Sequence, residues 1–128
     1  MVLTGATRER GLATEIAAQA GLGPEAVLAG RTDATGLAAT VAAAGRVVCG
    51  DTGVAHLATA FGVPSVVLFG PTPPALWGPL GDRPWHVALW AGRRGDPHAD
   101  RPHEGLLAIA PEDVVAALEG LPAARFAA

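Results

Sequence analysis

Between Arg46 and Pro79 the chain reads RVVCGDTGVAHLATAFGVPSVVLFGPTPPALWGP, and this run constrains the fold more than any other. Two short, continuously apolar segments, Arg46 to Cys49 and Val66 to Phe69, are bounded by glycine and proline and are too short for helices. They predict buried strands. Gly50-Asp51-Thr52-Gly53 is a tight polar turn, Val54 to Phe61 fits a short helix, and Gly62-Val63-Pro64 is a corner back to the second strand. Strand, helix and strand in this order make a βαβ unit, whose strands are parallel and covered on both faces. Ligands of open α/β sheets bind beyond the carboxyl ends of the strands. The loops Gly50 to Gly53 and Gly70 to Pro74 both leave strand ends on that side.

The flanking sequence continues the alternation. Val2 to Thr4 predicts a strand ending at Gly5, and Thr7 is the expected N-cap of a helix from Arg8 to Ala20 with Ile16 and Ala20 in its apolar stripe. Gly21 stops that helix, Gly23-Pro24 turn, and Ala26 to Ala29 predicts a further strand. Asp33 or Thr35 can cap a second helix through Leu37, Val41 and Ala44. Beyond the central unit, Trp77 to Arg83 reads as irregular, His86 to Trp90 as a strand and Ala91 to Gly105 as a polar loop. Leu106 to Ile109 is a short apolar segment, and Pro111-Glu112-Asp113 opens a last helix through Leu118, with carboxylates at its positive dipole end. The expected fold is a parallel α/β sandwich, one domain over residues 1–128.

Composition removes several functions. Half the residues are hydrophobic and 16% charged, a globular balance. The net charge of −3 and scattered basic residues leave no nucleic-acid footprint. All nine basic residues are arginine, so no mechanism can use a lysine amine. The single cysteine, Cys49, lies in an apolar strand and reads as a buried, inert thiol compatible with a reducing compartment. No apolar run reaches the ~18 residues of a membrane span, and a cytoplasmic protein is expected.

Asp51-Thr52-Gly53 opens a helix directly after a strand. A helix start offers unpaired N–H groups and partial positive charge, and Gly53 admits close approach to the backbone, a setting for phosphate or diphosphate. Asp51 is better suited to accepting hydrogen bonds from sugar hydroxyls than to touching phosphate. His56, three residues on, projects toward the same mouth. The local pattern leaves an alternative open, in which Asp51 or Thr52 merely caps the helix and His56 is an ordinary surface or core histidine. Gly70-Pro71-Thr72-Pro73-Pro74 is a rigid loop with one hydroxyl, and its plain alternative is a turn. Asp96, His98, Asp100, His103 and Glu104 crowd one loop, but their spacing matches no ligand motif and no metal is expected. Trp77, Trp85 and Trp90 read as packing anchors.

The stretch DTGVAHLATAFGVPSVVLFGPTPPALWGP resembles the signature of the heptosyltransferase family of glycosyltransferases (family 9). That signature is Asp-(Ser/Thr)-Gly-x-x-His-hydrophobic-Ala-x-Ala-hydrophobic-Gly-x-Pro, followed by a strand ending in Phe-Gly-Pro-Thr-x-Pro. The match runs ungapped over about thirty residues; weaker similarity reaches Leu3-Thr4-Gly5 and the segment from Gly105 through the last helix.

The resemblance implies a GT-B architecture, two Rossmann-like domains about a cleft, with this chain forming most of the C-terminal, donor-binding domain without its first strand–helix unit. It implies transfer of a sugar from an ADP-sugar-like donor to a lipopolysaccharide-like or other glycan, with inversion, no catalytic metal and no cofactor, the nucleotide-sugar being a substrate. Asp51 would contact the donor sugar, Thr52 and Gly53 its diphosphate, and His56, Gly5 and Thr72 would complete the site. The catalytic base belongs to an acceptor domain outside this chain, so none of these residues is assigned a catalytic role. The family's donor-phosphate lysine lies in the absent unit, and Arg8 or Arg10 is only a distant substitute. The family's cysteines before the last helix have no counterpart here. In the order 3-2-1-4-5-6 the absent strand is central, so homo-oligomer formation or strand exchange is expected. A non-catalytic nucleotide-sugar-binding or assembly module is the alternative.

Overall fold

The computed structural model describes residues 1–79, 81 and 83–122. The chain divides into two compact units, Met1–Thr40 and Val41–Ala128.

In the first unit, Leu3 pairs in parallel with Val27 as an isolated bridge; Leu3 N donates to Ala26 O at 2.8 Å, and Leu28 N to Leu3 O at 2.8 Å. The strands expected at Val2–Thr4 and Ala26–Ala29 are thus reduced to one bridged pair. A 3-10 turn at Thr7–Glu9 leads into α1 (Arg10–Gln19). Thr7 is not the N-cap: it lies inside the 3-10 turn, and the Glu9 carboxylate instead accepts from Ala6 N at 2.6 Å. Nor is Ile16 the buried stripe. The buried face is Ala13 and Ala17, packed with Val27, Ala29, Leu3 and Leu22, while Ile16 is 42% exposed and Ala20 is exposed. The small alanine face lets the helix lie close to the bridged backbone. Gly21 ends the helical stretch at φ 67°, as expected of a left-handed stop, and Pro24–Ala26 forms a second 3-10 turn. Asp33 caps α2 (Ala34–Ala42), its carboxylate accepting from Gly36 N at 2.7 Å. This helix runs across the boundary of the two units.

The second unit is built on a three-stranded parallel sheet, β1 (Val47–Gly50), β2 (Ser65–Phe69) and β3 (His86–Trp90), in that order. Val47 faces Ser65, and Ser65 faces His86. β2 is central, with Val66, Val67 and Phe69 buried, as its unbroken apolar run requires. Among the described residues β1 is paired on one side only, with β2, and its Val48 is 46% exposed. Between β1 and β2 runs α3 (Gly53–Phe61), whose Ala55 packs with Val67, Phe69, Cys49, Ala88 and Trp90. Gly62 ends it in the left-handed conformation (φ 65°), and Val63 N reaches back to Ala58 O at 2.9 Å.

A short helix, α4 (Pro74–Trp77), with proline in its first turn, joins the end of the Gly70–Pro74 loop to the start of the Trp77–Arg83 stretch expected to be irregular. Leu80 and Asp82, also in that stretch, lie outside the described residues. Glu104–Leu107 is likewise helical (α5), where a loop end and an apolar segment are expected from the sequence; α6 is Pro111–Gly120. After α6, Leu121 is buried and its carbonyl accepts from Arg46 Nη2 at 3.2 Å, tying the chain back to the start of β1. Ser65 Oγ and His86 Nδ1, at the amino ends of β2 and β3, share a buried 2.8 Å hydrogen bond. Among the described residues no helix is long and apolar enough to cross a membrane.

Candidate functional site

β1 ends at Gly50, and Asp51 and Thr52 bridge it to the first residue of α3, Gly53. Thr52 occupies the N-cap position in extended conformation (φ −143°, ψ 175°), yet its side chain accepts no capping hydrogen bond. Its carbonyl accepts from Ala55 N at 3.0 Å, so the first turn is closed by the backbone alone. Thr52 is thus the N-cap residue by backbone position and His56 lies at the surface, as the plain alternative has them, but the Thr52 side chain leaves the helix-start N–H groups without a side-chain cap. Asp51, Thr52, Gly53 and His56 are all exposed, and a Cβ built at Gly53 meets no heavy atom within 4 Å. The helix start thus faces open space, with a carboxylate and a hydroxyl at its rim and an imidazole one turn along.

Thr72 follows the neighbouring strand. Because β1 and β2 are parallel and Gly50 registers with Leu68, the loops after both strands leave the sheet on the same side. The loop holding Thr72 is fixed from behind. The Trp90 indole N–H donates to Gly70 O (3.1 Å) and Arg93 O (3.2 Å), and Gly95 N donates to Pro71 O at 3.2 Å. Gly70 itself sits where a Cβ would lie 3.4 Å from Leu106 Cβ. Trp90 is thus a packing anchor with a polar duty, whereas Trp77 is 63% exposed. Trp77 instead lines, with Leu76 and His56, an apolar groove of about 230 Å³ between α3 and α4.

Gly5 lies in the first unit. Its carbonyl accepts from Gly30 N at 2.8 Å, and a Cβ there would come 3.0 Å from the Glu9 carboxylate, so the missing side chain makes room for Glu9 to reach Ala6 N.

Two neighbours respond to the site electrostatically or stand apart from it. Cys49 is half-buried rather than buried, and its thiol is pushed up to about 11 by desolvation, with the Asp51 carboxylate adding to the effect, which keeps it protonated at neutral pH. The acid-rich loop before α5 is held by local bonds: Asp96 accepts from His98 N (2.8 Å), His103 Nδ1 from Gly105 N (3.1 Å), and Glu104 pairs with Arg93 at 2.9 Å. Sequence reasoning missed Trp90, Arg93 and Gly95 as supports of the Thr72 loop. Only the indole at the end of an apolar strand signalled a need for an acceptor.

Comparison with known proteins agrees with this frame. The sequence model of glycosyltransferase family 9 (heptosyltransferase) matches residues 1–103. Lipopolysaccharide heptosyltransferase 2 of Escherichia coli is 34% identical over 98 residues, 73% of this chain and 28% of that protein. Lipopolysaccharide heptosyltransferase 1 of Pseudomonas aeruginosa is 42% identical over 83 residues, 65% of this chain and 22% of its own length. The chain therefore spans about a quarter of the curated relatives it matches. Among solved structures, E. coli ADP-heptose lps heptosyltransferase II superposes with a TM-score of 0.71 at 28% identity, covering 92% of this chain and 34% of that one. A family 9 glycosyl transferase from Veillonella parvula superposes with a TM-score of 0.75 at 24% identity, covering 92% and 35%, and supports the fold alone. An α/β unit with a parallel sheet, an open helix start after β1 and a match over four-fifths of its length place this chain in glycosyltransferase family 9, the heptosyltransferases.

Proposed function

We propose that this chain is the donor-binding part of a sugar transferase that uses an ADP-sugar-like donor and a lipopolysaccharide-like or other glycan acceptor. The observation that carries this reading is the start of α3: exposed, directly after a sheet strand, uncapped by its own side chain and open at Gly53. When a nucleotide-sugar loses its sugar, negative charge grows on the departing diphosphate. Helix-start N–H groups at Thr52–Gly53 stabilise that charge by hydrogen bonds and by the helix dipole. Asp51 accepts from hydroxyls of the sugar, and His56 and Thr72 bound the same mouth. No residue here is assigned as the base; that group and the acceptor site lie in another domain, and the donor needs neither cofactor nor metal. The open edge of β1 supports the expectation that a further strand, from a copy or another segment, adds to the sheet. A cytoplasmic setting suits a nucleotide-sugar donor.

Calorimetric titration with ADP-, GDP- and UDP-sugars tests the reading. Saturable binding of the ADP-sugar that weakens at least tenfold in Asp51→Ala is the expected result. Failure to bind any of the three refutes it.

A further inference from the structure

In the first unit a groove of about 220 Å³ is lined by Arg10, Thr14, Pro24, Val27 and Arg31. Its two cations come from different elements, the first residue of α1 and the segment after the Leu3–Val27 bridge. Neither has a carboxylate within ion-pair distance among the described residues, where the recorded pair is Arg93 with Glu104. Two acids of the same unit are bonded within their own turns: Glu9 accepts from Ala6 N and Asp33 from Gly36 N. The wall includes buried Val27 and the ring of Pro24. A cleft of one charge sign with an apolar wall concentrates its field on whatever enters.

We propose that this groove binds the phosphate group of a small phosphomonoester, through Arg10 and Arg31. Two guanidinium forks match the oxygens of a dianionic phosphate, each able to donate two parallel hydrogen bonds. Thr14 contributes little, because its hydroxyl already donates to Arg10 O at 2.8 Å. The volume admits a phosphate with a modest organic substituent. The site stands on the first unit alone and does not depend on the donor reading of Asp51–His56.

The test is an amide-resolved NMR titration of the whole chain with inorganic phosphate at low ionic strength, repeated with Arg10→Gln, Arg31→Gln, the double variant and Arg8→Gln. Arg8 is an exposed neighbour that does not line the groove. The expected result is saturable shifts centred on residues 10, 14 and 31, a tenfold or greater loss of affinity in each single variant, and no saturation in the double. Arg8→Gln binds as the parent does. Shifts that never saturate, that survive in the double variant, or that fall equally in Arg8→Gln overturn the proposal. So does binding of a short oligonucleotide where phosphate fails. Should the Gln variants unfold by circular dichroism, the double Arg→Lys variant decides: retained charge without the forks must weaken binding, and unchanged affinity refutes the bidentate site.

Discussion

Gly53→Ala separates folding from ligand binding at one position. In the free chain a Cβ at Gly53 meets no heavy atom within 4 Å, and Gly53 is not among the glycines with positive φ, which are Gly21, Gly30, Gly62 and Gly92. The methyl therefore costs the fold nothing sterically or conformationally. Restricting the unfolded chain at a compatible site stabilises a protein by roughly 0.4–1 kcal/mol. For a chain of this size that raises Tm by roughly 1.5–4 °C. A diphosphate drawn to the start of α3 meets the opposite effect, because the methyl occupies the space its oxygens need. Losing one hydrogen bond to a charged group costs about 1.5–3 kcal/mol, or about 10- to 150-fold in Kd. Thermal melts and calorimetry with the ADP-sugar read the two effects on the same preparation. The expected outcome is a protein that melts higher and binds at least tenfold more weakly. A variant with raised Tm whose affinity stays within about twofold of the parent would refute the placement of the diphosphate at this helix start.

Two further outcomes follow from the second unit. His86 is 7% exposed, its Nδ1 is bonded to Ser65, and its Nε2 has no partner among the described residues; burial, with a smaller effect of Arg83, lowers its pKa below the usual 6.5. The unfolded chain then binds the proton more readily than the folded one, so stability is fully present above about pH 6.5 and declines as pH falls from there toward the lowered folded value. Urea midpoints measured across that range should show the decline. His86→Phe should flatten it while costing about 1–3 kcal/mol for the orphaned Ser65 hydroxyl; an unchanged pH profile would remove His86 as the cause. With its thiol pushed up to about 11, Cys49 should react with a disulfide reagent at neutral pH about two orders of magnitude more slowly in the folded chain than in urea. Asp51→Asn should speed the folded reaction, since the Asp51 charge is the second cause of the shift, and equal rates would contradict that coupling.

The parts of the fold legible in the sequence are those where strong apolar runs meet hard punctuation. β3 falls at His86–Trp90 as expected, β1 is shifted by one residue and β2 starts one residue early, because valine-rich runs closed by glycine or proline leave little freedom of register. The first unit resisted reading for the opposite reason. In an alanine-rich helix the apolar stripe has no contrast, so Ile16 drew the expected core face although the close packing needed is supplied by Ala13 and Ala17. α4 was hidden because Pro-Thr-Pro-Pro reads as a loop, while proline in a first helical turn gives up only an N–H that has no partner there. The rim residues Asp51 to His56 were legible because one strand–helix junction carries them all. The supports of Thr72 were not, since the Trp90–Gly70 bond joins residues 20 apart and no local spacing encodes it.

That indole bond also divides the mouth of the sheet into a stiff wall and a yielding one. Gly70 to Pro74 holds three prolines, and its carbonyls at Gly70 and Pro71 are already tied to Trp90 and Gly95. A ligand settling against Thr72 therefore orders almost nothing there, and the entropic penalty of association is small on that side. The opposing turn, Asp51–Thr52, is exposed and is tied by the Ala55 N bond to the Thr52 carbonyl without a side-chain cap, so it is the less fixed of the two walls. On the proposed donor reading, discrimination among donors of similar size would fall to that turn, with the Thr72 wall as a fixed gauge of position.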